Sequence, residues 1–136
     1  MKMTLKDRSL YFKGLLLLIR KDRQTVQAEV DLMKRIGGIL GFEKQFCEEA
    51  IADILKNPYI VDEPSRFSKK GVAACFIRDG LSLAFADEEL HPSEEQWLRS
   101  TADLNGLGMD FFNGELQKAR DEGGNLKRLS VEDLTF

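Results

Sequence analysis

Four carboxylates stand at matching places along the chain: Asp22 and Glu29, then Asp87 and Glu94, each Glu seven residues after its Asp. Hard divalent cations such as Ca²⁺, Mg²⁺ or Mn²⁺ take several oxygen ligands, and a tight turn between helices brings an Asp and a Glu at this spacing together. The same residues have a plainer use. An Asp at a turn accepts from exposed backbone N–H groups, and a Glu in the first turn of a helix faces the positive end of its dipole. Both readings stay open on the residues alone. The second cluster is the richer, with Asp87, Glu88, Glu89, Glu94 and Glu95, whereas Lys21 and Arg23 bracket Asp22. Neither cluster has the alternating ligands, central glycine and closing Glu of a twelve-residue EF-hand loop. His91 is the sole histidine and stands before Pro92. It suits a helix cap better than a ligand, and a catalytic zinc site is not expected from one histidine.

The elements that must position these carboxylates are helical. Apolar residues recur at spacings of three and four nearly throughout, without the sustained alternation of a half-buried strand. The pattern predicts helices over about 4–20, 27–40, 43–56, 66–86, 92–105 and 108–121, then a tail over 122–136. Phe46, Cys47, Ala50, Ile51, Ile54 and Leu55 make one stripe of the third helix; Leu32, Met33, Ile36, Ile39 and Leu40 make that of the second. Gly41 and Gly123-Gly124 are natural stops, Pro58 and Pro64 mark connections, and Pro92 suits a first turn. Leu126, Leu129, Val131 and Leu134 offer the tail a weak docking edge. Asp79-Gly80 has the form of a turn, but the apolar pattern runs through it, so Asp79 is expected on a helix surface.

A shift of the chain against itself lays residues 11–55 on 76–120 without a gap. Leu16/Leu81, Leu18/Leu83, Asp22/Asp87, Glu29/Glu94, Gly41/Gly106 and Phe46/Phe111 are identical, and the only polar identities are the carboxylates. The expected fold is therefore all-α: two three-helix units, about 4–56 and 66–121, related by a pseudo-twofold axis within one domain spanning 1–136.

Composition narrows the function. With 136 residues, 43% hydrophobic and 32% charged, the chain reads as a water-exposed helical protein that folds without staples. A net charge of −3 and no basic run beyond Lys69-Lys70 argue against nucleic acid. Leu15–Ile19 is too short to cross a membrane and reads as core; residues 1–8 lack the features of a secretory signal, so a cytoplasmic location is expected. Cys47 and Cys75 are isolated on apolar faces, as inert thiols. With no phosphate loop, GxSxG or paired metal-ligand motif, no catalytic residue is assigned and an enzyme is the least expected class.

The run Phe85-Ala86-Asp87-Glu88-Glu89-Leu90-His91-Pro92-Ser93-Glu94-Glu95-Gln96-Trp97-Leu98, leading to Leu104-Asn105-Gly106-Leu107, resembles the TerB-like tellurite-resistance family. Ile19-Arg20-Lys21-Asp22, Glu29 and Leu40-Gly41-Phe42 look like an earlier copy of the same motif, and the resemblance covers about residues 8–120. The family's glycine after each Asp is replaced here, by Arg23 and Glu88. The resemblance implies an internally symmetric helical protein of bacterial type, linked to stress responses such as tellurite resistance, that binds a divalent cation or acts as an interaction module. Asp22, Glu29, Asp87 and Glu94 are the residues it would use for a metal. The alternative is an adaptor, homodimeric or with another protein partner, whose acidic residues only cap helices; that alternative expects an exposed apolar patch around Phe111, Phe112 or the tail.

Overall fold

The computed structural model describes residues 1–21, 27–57, 59–86, 90–124 and 128–136. Asp22, Arg23, Pro58, Asp87, Glu88, Glu89 and Leu126, all named above, lie outside them. Among the described residues the chain is all-helical, without a strand: α1 (Leu5–Arg20), α2 (Gln27–Ile39), α3 (Lys44–Lys56), α4 (Lys70–Phe85), α5 (Pro92–Leu104), α6 (Met109–Glu122) and a short 3-10 turn at Ser130–Asp133. None of these helices is long and apolar enough to cross a membrane.

A shift of 65 residues carries α1 onto α4, α2 onto α5, and α3 onto all but the last residue of α6. The helix stops coincide too. Gly41 and Gly106 both take positive φ, at 86° and 73°. The residue after each sends its N–H back into the helix, Phe42 to Gly37 O and Leu107 to Ala102 O, both at 2.9 Å. This closes the orphan carbonyls of α2 and α5 by the same left-handed cap, a conformation that costs glycine nothing and other residues about 1–2 kcal/mol.

At the centre α1 and α4 pack on each other, and each also carries its own pair of following helices: α2 and α3 on α1, α5 and α6 on α4. This explains the leucine run. Leu15, Leu16, Leu17, Leu18 and Ile19 are all buried because this part of α1 is enclosed on several sides, so the run is apolar all round rather than along one stripe. Burial of each such side chain contributes roughly 1.5–3 kcal/mol. Glycine permits the closest approach: a Cβ on Gly14 would stand 2.7 Å from Phe76 Cζ.

Two expectations are corrected. The fourth helix begins at Lys70, not near residue 66, because the preceding amides are held from outside. Phe67 N–H donates to Asn105 Oδ1 at 2.8 Å, and Ser68 N–H to Asp7 Oδ1 at 2.9 Å. Asn105 Nδ2 also donates to Ser65 O at 2.7 Å, so one side chain keeps the stretch extended. The tail does more than dock weakly. Leu129, Val131 and Leu134 enter the main core, and Thr135 pairs with the chain's beginning, its N–H donating to Met1 O at 2.8 Å while its carbonyl accepts from Met3 N–H at 2.6 Å.

Candidate functional site

Glu29 and Glu94 occupy the same place, the third residue of α2 and of α5. Glu94 is 3% exposed, and one of its oxygens accepts the His91 N–H at 3.1 Å. This is the capping half of its expected role: the carboxylate satisfies an amide at the mouth of α5, where the helix dipole favours negative charge. Glu29 is half-buried in the first turn of α2. His91 is the residue before Pro92, which opens α5 at the position where its missing N–H costs nothing. The partners of Glu29 and Glu94 in the carboxylate set, Asp22 and Asp87, are outside the described residues. Among the described residues no three His, Cys, Asp or Glu side chains stand close enough to hold a metal ion.

What is visible is how the flanks of the two acidic connections are held. Arg20 ends α1 and acts as a hub, its guanidinium donating to the carbonyls of Ile54 at 3.3 Å, Asn57 at 3.0 Å and Ile60 at 2.7 Å, and to the Asp62 carboxylate. Lys21 Nζ reaches the other Asp62 oxygen at 3.0 Å. Burial pulls the Asp62 carboxyl upward, but the bonds from Lys21 and Arg20 outweigh it and hold the group below its ordinary range. The Asp62 carbonyl accepts from Trp97 Nε1 at 2.9 Å, so the same residue ties the end of α1 to α5. Arg20, Lys21, Asp62 and Ser93 line one depression of about 340 Å³. The residue before Asp22 and the residue before Glu94 thus face a common space.

A second polar centre was not anticipated. Asp79, expected on a helix surface, is 1% exposed. One oxygen accepts from Tyr11 Oη at 2.6 Å and from Val131 N–H at 2.9 Å, the other from Ser130 N–H at 2.6 Å. Three parts of the chain meet on this carboxylate: α1, α4 and the closing segment. Burial pushes its pKa up to about 6 against the lowering effect of those bonds, and burial with the neighbouring charge drives the Tyr11 phenol well above its ordinary value. The signal lay in the spacing. Asp79 follows Val72 by seven residues and Phe76 by three, which places it on the buried stripe of α4 rather than opposite it.

Cys47 is buried and Cys75 half-buried, each with its thiol pushed up by burial, which lowers the thiolate population and with it nucleophilicity. Of the places where an exposed apolar patch was expected, Phe111, Phe112 and most of the described tail are covered. Phe112 is buried, Phe111 is partly buried beneath Arg78, and Leu129, Val131 and Leu134 of the tail are in the core, which leaves Phe136, 53% exposed beside Arg8, as the tail's exposed apolar group. Other exposed apolar groups include Tyr59 (89%) and Val61 (65%) after α3, and Phe46, which stacks on Phe42 with ring centroids 4.9 Å apart. No protein-family model, curated protein or solved structure matches the chain.

Proposed function

We propose that the chain is a non-enzymatic domain of the TerB-like type, built from two copies of one three-helix unit, that binds a divalent cation through its two acidic inter-helix connections. The duplication is supported by the shared helix limits and by reciprocal contacts across the centre. Tyr11 and Phe76 are equivalent under the shift, as are Gly14 and Asp79. Tyr11 Oη meets Asp79 while the Phe76 ring meets Gly14, and the two rings lie 5.3 Å apart. Contacts that recur with the partners exchanged are what a pseudo-twofold axis between α1 and α4 produces.

The observation that carries the cation reading is the matched placement of the two carboxylate sets, with Glu29 and Glu94 each third in its helix and each seven residues after an Asp. The depression lined by Arg20, Lys21, Asp62 and Ser93 brings Lys21, the residue before Asp22, beside the first turn of α5, where the Glu94 carboxylate accepts the His91 N–H. Carboxylate oxygens of Asp22, Glu29, Asp87 and Glu94 suit Ca²⁺, Mg²⁺ or Mn²⁺ rather than a soft ion. Arg20 and Lys21 oppose a cation near the first connection, so Asp87 and Glu94 are the stronger pair. The test is thermal unfolding of EDTA-treated protein titrated with Ca²⁺, Mg²⁺, Mn²⁺ or Zn²⁺, with Asp87→Ala alongside. A saturable rise with a hard cation, about 2.7 kcal/mol at a hundredfold excess over Kd and absent from the variant, is expected. No rise with any ion leaves the carboxylates as helix caps.

In that case the second reading stands, an interaction module in the cytoplasm. It is favoured by the exposed Tyr59 and Val61 and by the Phe42-Phe46 pair, since large aromatic groups left in water mark recognition surfaces.

A further inference from the structure

The chain holds two Asn-Gly pairs, Asn105-Gly106 at the end of α5 and Asn113-Gly114 inside α6. This dipeptide can cyclise. The glycine nitrogen, its proton removed by hydroxide, attacks the Asn Cγ; a C–N bond forms, the Cγ–Nδ2 bond breaks and ammonia leaves. Water then opens the cyclic imide at either carbonyl, giving Asp or isoaspartate. Glycine favours the step because no side chain crowds the attacking nitrogen or restricts its backbone.

Asn105 is held away from that reaction. Its Oδ1 accepts the Phe67 N–H at 2.8 Å, and its Nδ2 donates to Ser65 O at 2.7 Å and to Thr101 O at 2.8 Å. The Gly106 N–H, the group that must lose its proton to attack, donates to Asp103 O at 3.0 Å. Ring closure also eclipses Cβ with the Gly106 nitrogen, at a ψ between the helical and extended regions that is sterically disfavoured, whereas Asn105 rests at ψ 8°. Two of the three side-chain bonds come from residues 38 and 40 positions away, so release requires residues 65–67 to lift from α5 as well as the last turn of α5 to open. Asn113 differs. It is exposed, and an added Cβ on Gly114 would meet nothing within 4 Å, so a local opening of the α6 ladder is enough to free the pair.

We propose that Asn105-Gly106 is a deamidation site kept closed by the contact of residues 65–67 with α5, and that opening of this contact leads to its irreversible loss. In the product an oxygen replaces Nδ2 and faces the carbonyls of Ser65 and Thr101, so two donated bonds give way to facing acceptors. Isoaspartate also adds a main-chain carbon just before the left-handed Gly106. The side chain that keeps residues 65–67 extended is then gone, and unfolding becomes irreversible by chemistry rather than by aggregation. This is independent of the cation reading.

Peptide-mapping mass spectrometry of the full-length protein, aged in mildly alkaline buffer with and without guanidinium chloride at an unfolding concentration, reads both pairs in one sample. In buffer alone, conversion at Asn105 is expected about a hundredfold or more below its rate in denaturant, with Asn113 slowed far less. Equal slowing of the two pairs, or conversion at Asn105 in buffer alone at its rate in denaturant, overturns the proposal. Full-length Asn105→Asp, made as the product, is expected to unfold at a lower guanidinium concentration than wild type or not to refold, with Asn113→Asp close to wild type. An Asn105→Asp midpoint equal to that of wild type also overturns the proposal, since conversion would then leave the contact intact.

Discussion

The two halves of the molecule use equivalent positions in opposite ways. Under the 65-residue shift Gly14 of α1 answers to Asp79 of α4. At Gly14 the absence of a side chain lets the Phe76 ring settle on the backbone; at Asp79 a carboxylate fills the place and takes the Tyr11 hydroxyl. The segments that follow the two halves differ accordingly. The stretch after α3 is extended and tied down by Arg20, Asn105 and Asp7, whereas the segment after α6 turns back and ends its amides on Asp79. The helix limits coincide under the shift, and at one position where the residues differ, Asp79, the closing segment ends its amides.

The comparison breaks hardest at Asp79. Replacing it by Ala leaves two amides and a phenol without their acceptor, at a cost of about 3–5 kcal/mol in chemical denaturation, against less than about 1 kcal/mol for an exposed carboxylate such as Asp53. A cost near that of Asp53 would show the anchor to be dispensable.

The same carboxylate sharpens the comparison through pH. Its folded-state pKa is raised from 3.8 to about 6, so between those values the folded chain binds the proton that the unfolded chain has lost. That contribution is fully present below about pH 4 and is lost as pH rises through about 6, amounting to roughly 3 kcal/mol. Asp7 and Asp62 act in the other direction and in a lower window. Burial raises both, but Ser68 and Thr4 on Asp7, and Lys21 and Arg20 on Asp62, hold them below 3.8; their stabilisation is lost as pH falls through those depressed values. The wild-type stability curve minus that of Asp79→Asn should therefore slope only between about pH 4 and 6. A flat difference would mean that Asp79 is not desolvated.

On the other half, Gly14→Ala forces a Cβ to within 2.7 Å of Phe76 Cζ. About 2–3 kcal/mol of destabilisation is expected, recovered in part by Phe76→Leu, which withdraws the ring. Strict additivity of the two substitutions would deny the contact. The smallest effect concerns the shared helix stops. Gly106→Ala should cost about 1–2 kcal/mol for its positive φ alone, since only the flexible end of Lys70 lies near. Gly41→Ala should cost somewhat more, because its Cβ also meets the Phe136 ring and Arg8. Equal thermal shifts would show that the neighbours yield freely.

Much of the fold was legible in the residues because its signals are local. Periodicity named six helices, Gly41 and Gly106 named two stops, and Pro92 named a first turn. The candidate site was legible only as sequence chemistry: the Asp and Glu pairs could be read off, and Glu94 stands in the first turn where a cap belongs. Asp79 was misjudged for a related reason. Its spacing put it on the buried stripe, but a carboxylate is expected in water, and only the arrival of Tyr11, Ser130 and Val131 from distant parts of the chain makes its burial affordable.

The sequence by itself determined the six helices and the stops at Gly41 and Gly106, since helix period, caps and glycine stops act within a few residues. The start of α4 at Lys70 was set by Asn105 and Asp7 from elsewhere in the chain. The tertiary structure alone decided that the end of α1 and the start of α5 share one depression, and that the closing segment is anchored inside the core. Those outcomes depend on hydrogen bonds between residues 34 to 68 apart, such as Arg20 to Ile54 and Tyr11 to Asp79, and on desolvation that exists only once the helices have packed.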